Sequence, residues 1–150
     1  MRSEPAAVLA LTALVLATLA TAYEVGAIEL EVTTIRAADQ GKCDPELRRW
    51  RPRLRKVAGY QSYQMIGHEQ RQSDWRSTEE FRLPGGRALQ LRPRGLSNGN
   101  VLMHIRLLDG QRRLVDTSVR LPLESTMIFG VGRDARLDDE ATLILLRAGE

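Results

Sequence analysis

The stretch NGNVLMHIRLLDGQRRLVDTSVRL, from Asn98 to Leu121, decides the fold class because alternating apolar segments stand on both sides of a tight turn. The first segment has apolar side chains at every second position: Val101, Met103, Ile105 and Leu107. The second repeats the pattern: Val115, Thr117, Val119 and Leu121. A period of two predicts strands with one buried face, joined by the turn at DGQ. Asn98-Gly99 is typical of a hairpin turn, since both central residues of that turn need positive φ.

Further extended segments precede and follow this stretch. They are IELEVTTIR (28–36), YQSYQMIGHEQ (60–70), WRSTEEFRL (75–83), RALQLRP (87–93), STMIFGVG (125–132) and ATLILLRA (141–148). The last is a nearly continuous apolar run, as expected of a central strand buried on both faces. About eight strands at hairpin spacing and one short N-terminal capping helix predict a mainly β fold. We expect an antiparallel β-sandwich, with a small barrel as the alternative.

The N-terminal segment AAVLALTALVLATLATA, Ala6 to Ala22, carries no charge and follows Arg2. It ends in a small-x-small triplet of the kind that signal peptidases cleave after. We therefore expect residues 1–22 to be a secretory signal peptide and residues 23–150 to be a single domain in the periplasm or outside the cell. The alternative is an uncleaved inner-membrane anchor, since a spanning helix needs only ~17–25 apolar residues. Membrane contact would then come only through residues 6–22.

Export restricts the partners and the redox chemistry that we expect. A net charge of +3 and an isoelectric point near 9.5 favour acidic partners. Nucleic acid is not expected among them outside the cytoplasm. Cys43 is the only cysteine, so no internal disulfide can form, and the domain must rely on its hydrophobic core. We expect Cys43 to be an inert, buried small side chain, with an intermolecular disulfide as the alternative.

The stretch CDPELRRWRPRLRKVAGY, Cys43 to Tyr60, predicts a short helix. Asp44 is expected to cap the free backbone N–H groups at its start, ahead of a proline and a glutamate. An apolar stripe follows at steps of three and four: Leu47, Trp50, Leu54 and Val57. Because Pro52 interrupts the pattern, we expect two short turns or one kinked helix, ending at Gly59.

The candidate partner-binding residues are the arginines of this stretch and its tryptophan. They are Arg48, Arg49, Trp50, Arg51, Arg53 and Arg55. In one interpretation the helix covers an open end of the sandwich and its arginines are solvated. In the other they bind an anionic partner. The segregation of charge along the chain keeps the second interpretation open. Residues 42–94 contain 13 Lys/Arg and 6 Asp/Glu, a difference of +7. Residues 95–150 contain 7 Arg and 8 Asp/Glu, a difference of −1.

No catalytic or metal-binding motif is present in the sequence. His68 and His104 are far apart and neither has a second ligand type beside it, so no metal site is predicted. The run from Asp134 to Glu140 is expected to be a solvated hairpin tip, with Ca²⁺ binding as the alternative. We expect no cofactor and no catalytic residue. A small hydrolase would need either histidine or the acidic run in a concave pocket.

The order of an Ile/Val-rich first strand, DPEL opening a helix, then YQSY, LPGGR and a C-terminal LILLRA strand spans most of the chain after residue 22. In this order the chain resembles uncharacterised small exported proteins of Gram-negative bacteria. The resemblance implies an envelope location and carries over no functional residue. We therefore expect a non-catalytic envelope protein, an adaptor or accessory subunit of a periplasmic or outer-membrane assembly with a protein partner. The alternative is a binding module for anionic polysaccharide or lipid head groups.

Overall fold

The computed structural model describes residues 27–133 and 140–150, and within them the prediction of a mainly β fold is confirmed. The predicted signal peptide and residues 134–139 of the acidic run lie outside the described residues. In chain order the elements are β1 (Ile28–Ala38), a 3₁₀ turn (Pro45–Leu47), α1 (Arg51–Ala58), β2 (Ser62–Ser73), β3 (Glu79–Leu83), β4 (Arg87–Ser97), β5 (Asn100–Asp109), β6 (Arg112–Pro122), β7 (Thr126–Arg133) and β8 (Glu140–Gly149). In the described part of the chain, no helix has the length and apolar character needed to cross a bilayer.

The eight strands form two antiparallel sheets of four strands each. The first sheet has the order β2-β1-β8-β7 and the second has the order β3-β4-β5-β6. Paired neighbours are consecutive in the chain except β1 and β8, whose register places Glu29 opposite Gly149. Neighbouring strands therefore run in opposite directions within each sheet, and β8 pairs with β1.

The main core contains side chains from both sheets, so their inner faces pack against one another. The alternation read from the sequence is confirmed in β5, where all four predicted inward residues are buried. β1 and β8 contribute the opposite wall, with Ile28, Leu30, Val32, Ile144, Leu146 and Ala148. Each such fully buried aliphatic side chain of Val, Leu or Ile size stabilises the fold by about 1.5–3 kcal/mol. Val115 and Thr117 differ from their prediction, because β6 is an edge strand and leaves both exposed, Val115 to 40%.

The predicted Asn-Gly hairpin turn joins β4 to β5. Asn98 has a φ of 52° and Gly99 a φ of 74°, so both central residues lie in the left-handed region. A two-residue turn of this kind matches the right-handed twist of the strands that it joins. The predicted hairpin turn is therefore confirmed, and it places Ser97 opposite Asn100 at the start of the β4–β5 pairing.

The centre of the first sheet is apolar on its outer face as well as its inner face. β8 lies between β1 and β7, which confirms its prediction as a central strand. Leu143 and Leu145 alternate with the inward residues of β8 and therefore point outward. Together with outward side chains of β1 and β2 they form a second cluster: Ile35, Ala37, Tyr63, Leu143 and Leu145, covered by Leu47 and Leu54.

The predicted helix is present, but its place differs from the expected one. It is broken into the 3₁₀ turn and α1, with Pro52 in the first turn of α1 and Gly59 (φ 33°) after its last residue, as predicted. We expected it to cover an open end between the sheets. Instead it covers the outer face of the first sheet, because the outward apolar side chains of β1 and β8 need a cover that the second sheet cannot provide.

The predicted helix cap at Asp44 is wrong. Its side chain makes no capping hydrogen bond; its Oδ2 accepts one from the Met65 backbone N–H at 2.7 Å. The Asp44 N–H donates to the Tyr63 carbonyl oxygen at 3.0 Å, so this residue runs along the outer edge of β2. Backbone groups at a sheet edge need partners, and Asp44 supplies two of them. Cys43 is half-buried beside it, and its Sγ donates to the Gln61 carbonyl oxygen.

Candidate functional site

The six predicted contact residues fall into two groups. All five arginines are exposed and Trp50 is half-buried. Arg49, Trp50 and Arg53 line a cleft beside the helix, whereas the other three arginines do not. Arg55 instead donates to the Gln61 side-chain oxygen at 3.0 Å. We call Arg49, Trp50 and Arg53 the Trp50 cluster.

The Trp50 cluster consists of two guanidinium groups on one indole ring. The Cζ atoms of Arg49 and Arg53 lie 5.2 and 5.1 Å from the ring centroid of Trp50. A cation at this distance is attracted by the ring, while the N–H donors in the guanidinium plane stay accessible. Arg53 uses one of these donors on the Thr126 carbonyl oxygen at 2.9 Å, which fixes it to the start of β7. Trp50 itself packs against the second cluster, so the ring is anchored.

The cleft next to the Trp50 cluster has a volume of about 680 Å³, and we call it the helix cleft. Its floor is the polar half of the outer face of the first sheet, with Thr33, His68 and Arg147. Its other wall includes Glu46 from the 3₁₀ turn. This volume lies within the range of ≈ 300–1,000 Å³ that is usual for small-ligand sites.

The floor of the helix cleft carries two carboxylates and one guanidinium group, which contact one another. Arg147 forms ion pairs with Glu31, at 3.3 Å, and with Glu124. The His68 Nδ1 atom lies 3.0 Å from the Thr33 hydroxyl oxygen, and its Nε2 lies 3.8 Å from Glu31. The floor therefore does not attract an anionic ligand, and the positive charge without a carboxylate partner lies on the rim.

The arginines of the rim have no acidic partner among the residues that the structure describes. No carboxylate oxygen lies within 4.0 Å of the guanidinium groups of Arg48, Arg49, Arg51, Arg53 or Arg55. By contrast, Arg71, Arg106 and Arg147 all have carboxylate partners. The basic side chains near Trp50 are thus available to a ligand carrying negative charge.

Tyr63 on β2 packs in the second cluster, which contains side chains of both the helix and the first sheet. Its side chain is fully buried in the second cluster, and its hydroxyl oxygen accepts a hydrogen bond from the Tyr60 backbone N–H at 3.2 Å. Burial raises the pKa of the Tyr63 phenol, although the Tyr60 hydrogen bond and the charge of Arg55 oppose this. A neutral, buried phenol makes this residue part of the scaffold beneath the arginines.

The two histidines lie on outward positions of strands, as predicted, and on different sheets. His104 stands on the outer face of the second sheet, opposite Ser118 in the register. Its Nδ1 lies 3.1 Å from the Ser118 hydroxyl oxygen. Its buried Nε2 lies 2.7 Å from Asp116 Oδ1, without the geometry of a hydrogen bond. His68 and His104 therefore cannot act in one site.

Asp116 binds three basic groups on that face. Besides His104, it contacts Arg106 at 3.4 Å and Arg113 at 2.9 Å. This group could not be predicted from the sequence, because its members come together only through the β5–β6 register. Counting outward from the DGQ turn would have placed Asp116 opposite Ile105, because the register shifts by one residue between Leu107 and Leu108 and pairs Asp116 with Arg106 instead.

Metal ligands do not gather within residues 27–133 and 140–150, where no group of three His, Cys, Asp or Glu side chains could hold an ion. The candidate Ca²⁺ run lies mainly outside these residues.

No protein-family model, no curated protein and no solved structure matches the chain. The site therefore rests on its own geometry.

Proposed function

We propose that the chain is an exported, non-catalytic adaptor that holds an acidic segment of a protein partner against the Trp50 cluster. We infer that residues 23–150 form a single β-sandwich, whose helix is fixed to one outer face. The rigid sheet beneath the helix would present the arginines at constant positions. Such preorganisation lowers the entropy that binding costs.

The observation that supports this proposal is the pair of guanidinium groups stacked on Trp50 without a carboxylate partner in the described structure. Tryptophan and arginine are the residue types that most often dominate binding energy at protein interfaces. The half-buried indole would supply apolar contact area, and the two arginines would pair with carboxylates of the partner. The polar floor of the helix cleft would accept the uncharged polar side chains that neighbour those carboxylates.

The export part of the proposal rests on the uncharged segment from Ala6 to Ala22. We expect cells that express the full chain to yield a periplasmic product whose first residue is Tyr23. N-terminal sequencing of that product checks this point. A full-length, membrane-bound product would instead establish the anchor and overturn cleavage.

Fluorescence anisotropy with a labelled Asp/Glu-rich peptide tests the contact directly. The wild-type domain should bind this probe saturably, and binding should weaken as salt rises, because exposed charges are screened. The Arg49→Gln/Arg53→Gln variant should lose at least about tenfold in affinity, equivalent to about 1.4 kcal/mol. A Lys-rich peptide of equal length should not bind.

A matched control separates the site from overall charge. Arg82 and Arg112 are both exposed, and neither lines the helix cleft. The Arg82→Gln/Arg112→Gln variant therefore removes the same charge elsewhere and should bind the peptide as the wild type does. Equal losses in both variants would contradict the proposal. Binding of acidic polysaccharide or anionic vesicles, with no binding of the peptide, would favour a glycan or lipid module instead.

A further inference from the structure

A second cleft opens on the outer face of the second sheet, and four of its seven described lining residues are arginines. Its volume is about 590 Å³. We call it the arginine cleft, and its polar lining consists of Arg76, Arg92, Arg94, Ser118 and Arg120. Among the described residues, none that lines it carries a carboxylate. Four cations around one concavity repel one another, and this repulsion would be relieved by an anion bound between them.

Two backbone irregularities place the arginines at this cleft. Arg76 has a φ of 70°, a conformation that non-glycine residues rarely adopt. Its backbone N–H donates to the Pro93 carbonyl oxygen at 2.6 Å, and its own carbonyl oxygen accepts from Arg92 Nε at 2.9 Å. The chain turns at Arg76, so β3 begins at Glu79, four residues after the predicted extended segment begins at Trp75. The β4–β5 register shifts between Pro93 and Gly95, which makes Arg94 the extra residue of a bulge.

Two outward carboxylates lie in the register row next to the arginine cleft, Glu80 on β3 and Asp116 on β6, and both are engaged by other groups. Glu80 accepts a hydrogen bond from the Gln90 side-chain nitrogen at 3.0 Å. Asp116 on β6 contacts Arg106, Arg113 and His104. Within residues 27–133 and 140–150, none of the four arginines of the cleft has a carboxylate oxygen within 4.0 Å. The positive charge of the cleft therefore remains uncompensated by the described part of the domain.

The lining indicates which anion fits. Guanidinium groups form paired hydrogen bonds with the oxygens of phosphate, and several of them are needed to balance a group with about −1.5 to −2 charges. Leu102 and Val119 add an apolar wall to the cleft, which suits the organic part of a ligand. A volume of about 590 Å³ also exceeds the needs of a bare phosphate ion.

We propose that the arginine cleft binds a phosphate monoester carried on a sugar-sized group. The cleft shares no residue with the Trp50 cluster and lies on the other sheet. It therefore gives the domain a second binding site beyond the adaptor contact. The ligand is either a free sugar phosphate or the phosphorylated head group of a lipid, and these two sources share the chemistry that the arginines recognise.

Two-dimensional ¹H–¹⁵N NMR of the wild-type domain tests the site without a mutation. Titration with glucose 6-phosphate should shift the side-chain Nε–H signals of Arg92, Arg94 and Arg120 and the backbone amides of Leu102 and Val119, saturably. Glucose and sodium chloride at equal ionic strength should not. Shifts that follow ionic strength alone, or that appear all over the domain, would overturn the proposal.

Variants and vesicles complete the test. Arg94→Gln/Arg120→Gln should weaken sugar phosphate binding at least about tenfold. Arg82→Gln/Arg112→Gln and Arg49→Gln/Arg53→Gln should leave it within about twofold, since screened charges outside the cleft contribute little. Equal weakening by all three would overturn the site.

Arg94-dependent binding to phosphatidic acid vesicles identifies a lipid source, and binding of glucose 6-phosphate alone identifies a soluble one. Binding to neither overturns the proposal.

Discussion

The outer faces of the two sheets differ in what covers them. On the first sheet, outward apolar side chains such as Ile35 and Leu145 are buried beneath the helix. On the second sheet, the outward positions of β5 and β6 carry His104, Arg106 and Asp116, and no described element covers them. The same strand geometry gives both faces. The identity of the outward residues therefore decides whether a helix packs against a sheet face or the face stays exposed to ligands.

The largest expected effect comes from removing the apolar contact between helix and sheet. Leu54 on α1 is fully buried. Leu54→Ala should lower the free energy of unfolding by about 2–5 kcal/mol, because the lost contacts leave a cavity. Urea unfolding followed by circular dichroism measures this. Val57→Ala, on the same helix but 45% exposed, should change stability by less than about 0.5 kcal/mol. Equal losses would mean that the helix is not anchored through Leu54.

A smaller effect is expected at Tyr63, whose phenol pKa is raised by burial. The folded state holds the phenol proton more tightly than the unfolded state, whose phenol pKa is near 10.0. The stability contributed by neutral Tyr63 is therefore complete below pH 10 and is lost as pH rises through the folded pKa. Tyr63→Phe should cost about 1 kcal/mol at neutral pH, since the Tyr60 N–H loses its acceptor, and should flatten the alkaline loss.

Stability curves across the alkaline range, measured by urea unfolding, check the Tyr63 prediction. Tyr60→Phe is the matched control, because it removes one phenol hydroxyl nearby and should retain the alkaline loss of the wild type. An unchanged alkaline slope in Tyr63→Phe would show that another group causes that loss.

The smallest effect is expected on the open face of the second sheet. Asp116→Asn removes a charge shared by His104, Arg106 and Arg113, whose contacts are partly exposed. We expect a loss of less than about 1 kcal/mol, smaller still in high salt, because surface ion pairs contribute little. Thermal unfolding at two salt concentrations measures it. A loss as large as that of Leu54→Ala would mean that this face, too, depends on its outward side chains for folding.

The strands could be predicted from the sequence because the pattern of neighbouring residues indicates which side chains are buried. Period two identified the inward residues of β5, and the unbroken apolar run identified β8 as central. The place of the helix could not be predicted in the same way. Ile35 and Ala37 share a face with Glu31 and Thr33, so one face of β1 changes from polar to apolar partway along the strand. Only the assembled sheet shows that α1 covers the apolar half.

The two candidate sites also differ in how far the sequence could predict them. Arg49, Trp50 and Arg53 are close in sequence, so their cluster was within the predicted set, although the helix turns Arg48, Arg51 and Arg55 away from the cleft. The arginine cleft draws its side chains from a turn, a bulge and the edge strand β6. Those parts meet only through strand register, which no local pattern in the sequence specifies.

The pairing of β1 with β8 sets an order of events during folding. Glu31 and Arg147, which contact each other across this pair, are 116 residues apart. The second sheet consists of hairpins between consecutive strands and can form while the chain is still being synthesised. The first sheet lacks one of its two central strands until the ten residues of β8 are made. Until then the helix also lacks Leu143 and Leu145, which are part of the surface that it covers. Because long loops must close before such contacts form, we expect closure by β8 to be the slow step, with β1 and α1 exposing apolar surface until then.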